Sequence, residues 1–239
     1  MTLRLPPLGI WHETPANTCT FDGILYSWKV HDTLTFLVDL GIFHPMFRVF
    51  LDPGEREREL HFKTEISQKR FVVSRTILKH ILQAILQTGT AADVVLIRKD
   101  YGRILVQGYP GMYISLSYSG TRIAVTVGKR KIGSDIEALR PVTIEKIRSC
   151  PLFTDEDYRN GKESIHDFFH VWTLVEAYAK LHDSNPYLYL LWKELPQDAH
   201  FVSYCINNSS IFSLAYGLEE GRGRDALFRL DSEGMGRSV

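Results

Sequence analysis

Lys131-Ile132-Gly133-Ser134-Asp135-Ile136-Glu137 reads as a strand that is apolar on one side and acidic on the other. Side chains alternate across a strand, so Ile132 and Ile136 face one way and Asp135 and Glu137 the other. The Cα atoms of the two acids then lie roughly 6.6 Å apart, close enough for both carboxylates to lean onto one ion. Two carboxylates about 4 Å apart repel by about 4 kcal/mol at an effective dielectric near 20. A hard divalent cation removes that cost, and Mg²⁺ favours one or two carboxylates completed by substrate phosphates. For a lone Asp-x-Glu the plain alternative is the solvated face of an edge strand.

About forty residues on, a helix is predicted from Ser164 to His182. Within it Trp172, Glu176 and Lys180 are spaced four apart and form one stripe. Glu176 suits a third metal ligand or a general base, and Lys180 suits neutralisation of phosphoryl or leaving-group charge. The alternatives are a surface Glu–Lys pair worth roughly 0.2–0.5 kcal/mol and a core Trp172. Before this region, strands are predicted at Gly23–Val30 and Thr33–Asp39, then a helix start at Asp52-Pro53-Gly54 and a long helix over Ser67–Gln87. Short strands follow at Val94–Ile97, Arg103–Val106, Tyr113–Tyr118 and Arg122–Val127, with two more at Phe201–Asn207 and Ile211–Gly217. Short helices are predicted around Ile144–Ser149 and after Thr154. The pattern is α+β, with two lobes of similar α/β layout packed as a pseudo-twofold dimer. Gly108-Tyr109-Pro110-Gly111 is the connection between them. The lobes are 1–110 and 111–218, and 219–239, rich in Gly, Arg and Ser, is a flexible tail.

Composition narrows the classes. The chain has 239 residues, 44% apolar and 23% charged, enough for a sizeable core and unlike a disordered or fibrous chain. Formal net charge is +0, so nothing global favours nucleic acid or an anionic membrane, and any phosphate-binding patch is local. Cys19, Cys150 and Cys205 are too scattered for a metal site and odd in number, which suits a reducing cytoplasm. No apolar run approaches the roughly 20 residues of a membrane span. The basic turn Lys129-Arg130-Lys131 reads as solvated.

The order Gly-Ser-Asp-Ile-Glu and then Trp172-x-x-x-Glu176-Ala177-x-x-Lys180 resembles the signature of the 4′-phosphopantetheinyl transferases, in the larger pseudo-dimeric, surfactin-synthetase-activating type. The resemblance covers roughly residues 50 to 182 and implies that family's fold. It implies Asp135, Glu137 and Glu176 as ligands of Mg²⁺, with Glu176 and Lys180 catalytic. It also implies that coenzyme A meets Arg75 and Thr76, Arg58 on the preceding helix, and Arg103 of the turn Tyr101-Gly102-Arg103. Ser117 and Tyr118, within a segment similar to the family's Asn-Ile-Ser-His-Ser, complete that set. Two positions depart from the pattern. Tyr118 stands where the family has a histidine that meets the 3′-phosphate, and Val175 stands where it has a lysine.

The implied reaction moves the phosphopantetheine arm of coenzyme A to a serine of an acyl, polyketide or peptidyl carrier protein and releases 3′,5′-ADP. The enzyme is expected to be a cytoplasmic monomer without nucleic-acid or membrane partners. Tyr118 and Val175 support an alternative, a non-catalytic coenzyme A-binding or scaffold relative. Activity on ATP instead would mark another Mg²⁺-dependent nucleotidyl enzyme.

Overall fold

The computed structural model describes residues 8–10, 20–99, 102–143, 164–189, 195–218 and 225–230, the first and last of these by backbone alone. The helices expected around Ile144–Ser149 and after Thr154 lie outside the described residues. The architecture is mixed α/β with two sheet-and-helix regions, consistent with a two-lobed fold of the expected kind. One compact unit comprises residues 1–12 and 130–222, the other 13–129 and 223–239. Residues 111–129 belong with the second unit, so the chain passes between units at 129/130 and not at the Gly108–Gly111 connection.

In the second unit the sheet contains β2 (Thr33–Asp39), β3 (Leu96–Arg98), β4 (Ile104–Val106), β5 (Tyr113–Ser119), β6 (Arg122–Gly128) and β10 (Asp225–Leu230), in the order β10-β2-β6-β5-β4-β3. All its pairs are antiparallel except β10 with β2, where Asp225 lies beside Thr33. Helix α3 (Glu65–Leu86) begins at Thr64, whose side chain accepts from the Ser67 N–H, and ends at Gln87 in the left-handed region. Its Val73, Ile77, Leu78, Ile81 and Leu82 share one apolar core with Phe36 and Val38 of β2 and Ile123 and Val125 of β6. Helix α2 (Pro53–Leu60) starts as expected, with Asp52 and Glu55 in a reciprocal capping box.

Two expectations fail here. Gly23–Val30 is not a strand but most of helix α1 (Phe21–Val30), capped by Thr20 on the Gly23 N–H and buried through Ile24 and Ser27. Apolar and aromatic content suggested β, whereas the three-residue spacing of the buried positions is helical. The tail 219–239 contains β10, which lies along β2.

In the first unit the sheet order is β1-β8-β9-β7, from β1 (Leu8–Ile10), β7 (Ile132–Ala138), β8 (Ala199–Ile206) and β9 (Ser210–Gly217). Strand β1 runs parallel to β8, and the other pairs are antiparallel. Helix α4 (Ile165–Leu181) packs on β7 and β9. Between the helix and β9, Thr173 Oγ1 meets Ser213 Oγ at 2.7 Å, and Ser213 meets Ser203 at 2.8 Å, so the buried hydroxyls satisfy one another. Arg130 of the basic turn is buried, 4.0 Å from the centre of the Tyr216 ring, and is not solvated as expected. No described helix is long and apolar enough to cross a membrane.

Candidate functional site

Gly133 determines how closely α4 approaches β7. A Cβ at this position would lie 2.0 Å from the Ala177 carbonyl oxygen and 2.4 Å from the Leu181 nitrogen. Only a glycine lets the helix backbone come that near. Side-chain alternation puts Asp135 and Glu137 on the same side of β7 as Gly133, facing α4. On the helix, every residue from Phe168 to Leu181 is buried except Trp172, Glu176 and Lys180. The expected stripe is therefore the helix's one partly open line.

The strand and the stripe meet through Lys180. Its ammonium donates to Asp135 Oδ1 at 2.7 Å and to the Ser134 carbonyl at 3.1 Å, and Asp135 is 4% exposed. Glu137 accepts from Arg140 Nη1 at 2.6 Å. The Glu176 carboxyl is pushed above the usual carboxylate range by burial first and then by the negative charges of Asp135 and Glu137, while Lys180 pulls it the other way. Asp135, Glu137 and Glu176 thus share an electrostatic neighbourhood, and their oxygens suit a hard cation. Among the described residues, however, no group of three or more His, Cys, Asp or Glu is assembled as a metal centre. Asp135 is turned to Lys180 and Glu137 to Arg140. Trp172 meets Tyr187 edge-on at 6.4 Å. Val175 is 1% exposed and packs with Phe168, Phe169 and Ile211, so it belongs to the core and not to the open stripe. His166 is exposed, whereas His170 is buried and its ring pushed down to about 4 by desolvation, which keeps it neutral.

In the other unit a pocket of ≈170 Å³ collects Arg58, Arg75 and Arg98 against Phe71, Leu96 and Ile104. Arg58 and Arg75 both lie over the Phe71 ring, at 5.4 and 5.2 Å from its centre. Arg75 is 6% exposed, 3.5 Å from Glu55 Oε1, and its Nη1 is buried without a hydrogen bond. Beneath it Lys79, 1% exposed, donates to the Phe50 carbonyl at 2.9 Å and pairs with Glu55 at 2.7 Å. The Arg58 guanidinium is held below its ordinary value by burial, then by Arg98 and Arg75. This is a concentration of positive charge around an open space.

The remaining residues expected at this ligand divide. Tyr118 is partly exposed and meets Ser74 Oγ at 2.9 Å. Ser74 donates its own hydrogen to the Phe71 carbonyl, so the Tyr118 hydroxyl is the donor to Ser74. Thr76 is 1% exposed and donates to the Phe47 carbonyl at 3.0 Å, tying two segments together inside the core. Ser117 is buried on β5, and Arg103 lies 5.7 Å from the Tyr113 ring centre; neither lines the pocket. Tyr101 is outside the described residues. Arg98 was not singled out from sequence, since nothing local marks one arginine of a short strand as a pocket residue.

Comparison with known proteins points to one class, the 4′-phosphopantetheinyl transferases. The chain is 22% identical over 137 residues to 4′-phosphopantetheinyl transferase Sfp of Bacillus subtilis (strain 168), covering 56% of this chain and 61% of the relative. It is 23% identical over 135 residues to 4′-phosphopantetheinyl transferase psf-1 of Bacillus pumilus, covering 55% and 58%. A further 4′-phosphopantetheinyl transferase of Bacillus subtilis is 28% identical over 85 residues, covering 34% of this chain and 38% of the relative. The chain spans about three fifths of the length of the first two curated relatives. No protein-family model matches it. The similarities support assignment to the 4′-phosphopantetheinyl transferases in general.

Proposed function

We propose that this protein is a 4′-phosphopantetheinyl transferase of the larger, pseudo-dimeric type, acting on coenzyme A and the serine of an acyl, polyketide or peptidyl carrier protein. The observation that carries the reading is the meeting of Gly133, Asp135 and Glu137 on β7 with Glu176 and Lys180 on α4. Similarity to transferases so named supports it. Arg58 and Arg75 receive phosphate of coenzyme A, because they bring paired guanidinium donors to an open pocket. Thr76, tied to the Phe47 carbonyl, supports that wall from within, whereas Ser117, Tyr118 and Arg103 do not line the pocket.

The carboxylates of Asp135, Glu137 and Glu176 suit Mg²⁺ by donor type and by the negative charge that Asp135 and Glu137 bring to bear on Glu176. The ion would supply charge neutralisation on the diphosphate of coenzyme A. Glu176 accepts the proton of the carrier serine; a carboxyl raised by burial is a stronger base than an ordinary one. The serine oxygen bonds to the phosphorus bearing pantetheine, the bond from that phosphorus to the 3′,5′-ADP oxygen breaks, and Lys180 stabilises the departing charge. A cytoplasmic monomer fits this role.

The test is mass spectrometry of an apo-carrier incubated with the protein, coenzyme A and Mg²⁺, with an EDTA control. Gain of one phosphopantetheinyl group, abolished by EDTA and by Asp135→Asn or Glu176→Ala, is the expected result. Near-normal transfer by either variant removes that residue from the mechanism. The second reading, a non-catalytic coenzyme A-binding relative, is favoured by the core position of Val175 and by the engagement of Lys180 with Asp135. Mg²⁺-supported coenzyme A binding without modification of any apo-carrier would establish it.

A further inference from the structure

Arg98 sits at the mouth of the three-arginine pocket and is used by nothing else among the described residues: no ion pair or hydrogen bond holds its guanidinium. Three further observations make the pocket a built site. Arg75 is more than nine-tenths buried, with Nη1 unpartnered. Phe71 fixes the planes of Arg58 and Arg75 from beneath. Glu55, which faces the same space, is already shared between Arg75 and Lys79. Counting Lys79 with the pocket, four cations face the two carboxylates of Asp52 and Glu55, which leaves two positive charges over. A phosphate monoester, close to a dianion at neutral pH, balances that excess, whereas a phosphodiester carries only one charge. Tyr118 is a poor donor for the same anion, because its hydrogen is spent on Ser74.

We propose that Arg98 is a specificity-determining residue of this pocket, supplying the guanidinium that selects a terminal phosphate monoester and filling the role that Tyr118 cannot. The proposal rests on the coenzyme A reading for the identity of the natural ligand, but not for the chemistry of the pocket. Arg98 closes over the anion from the exposed side while Arg75 meets it from the buried side. Its side chain can be replaced without disturbing the floor of the site, since Arg98 is exposed and among the described residues its guanidinium holds no hydrogen bond or ion pair.

Titration calorimetry of the full chain with adenosine 3′,5′-bisphosphate, adenosine 5′-monophosphate and inorganic phosphate tests this in wild type, Arg98→Gln, Arg98→Lys and the control Arg56→Gln, which alters an arginine of α2 that does not line the pocket. Arg98→Gln should weaken the bisphosphate and inorganic phosphate by about ten- to hundredfold, the range of one charge-assisted contact. Arg98→Lys should recover part of the loss, and Arg56→Gln should match wild type. In wild type the affinity should fall below about pH 6, where the monoester takes up its second proton, and this dependence should flatten in Arg98→Gln. Affinities in Arg98→Gln within twofold of wild type overturn the proposal, as does absence of any phosphate binding. A bisphosphate that binds wild type no better than inorganic phosphate, with Arg98 still required for both, instead overturns the coenzyme A reading and leaves Arg98 as a phosphate-binding residue.

Discussion

At position 133 the absence of a side chain decides the site. Gly133→Ala places a methyl group into the backbone of α4, and neither neighbour is a flexible side-chain end that can move aside. The helix must lift, which costs about 3 kcal/mol by analogy with overpacked cores and separates Lys180 from Asp135. Urea denaturation should show a lower midpoint with an unchanged slope, together with loss of the proposed transfer. Glu176 supports a second prediction, of opposite sign for stability. Its carboxyl is raised in the folded state, so above the ordinary glutamate range the native protein holds more proton than the unfolded chain. Stability attributable to this group therefore falls as pH rises through that window. Glu176→Gln should consequently raise the melting temperature, more at pH 8 than at pH 5, while abolishing the proposed transfer. A melting temperature lower at pH 8 would mean that the carboxylate is stabilised where it lies.

Among the elements, α2 and α3 are joined through a buried ion pair rather than through apolar contact alone. Lys79, in the middle of α3, reaches Glu55 of α2 and the Phe50 carbonyl. Lys79→Met leaves Glu55 buried without its closer cation and should cost roughly 3–5 kcal/mol, measurable by chemical denaturation. The same variant should weaken phosphate binding, because Glu55 would turn its charge on Arg75. Sequence reading captured these elements unevenly. Asp52-Pro53-Gly54 announced α2 because capping chemistry is local, and the apolar spacing of α3 extends over six turns. For α1, Ile24, Leu25, Tyr26, Trp28 and Val30 satisfy strand composition as well as helix periodicity, and the cap at Thr20 settles the choice. The Trp172–Glu176–Lys180 stripe was legible from spacing. The partner of Lys180 was not, because an i,i+4 glutamate and a strand aspartate compete for it, and only the close approach over Gly133 lets Asp135 win. Arg98 was beyond local reading, since β3 gains its neighbours only through a sheet assembled from strands dispersed along the chain.

For the molecule as a whole, neither compact unit is continuous in sequence. The sheet containing β2 takes its edge strand from residues 225–230, and the sheet containing β8 takes its edge from residues 8–10. Deleting residues 219–239 should therefore do more than trim a tail. It strips β2 of its parallel neighbour and uncovers a strand whose residues are almost all buried. Exposed edges of this kind invite pairing between chains, so the shortened protein should melt earlier and aggregate on concentration, as read by light scattering.

This arrangement bears on how the protein is made. A ribosome releases the β2 strand at residues 33–39, yet its parallel companion at residues 225–230 emerges only after all the intervening chain. Until then the nascent sheet has an open flank. That unit therefore cannot close until residue 230 has left the ribosome, and a message interrupted before codon 225 yields a product with an unpaired sheet edge rather than merely a slightly smaller protein.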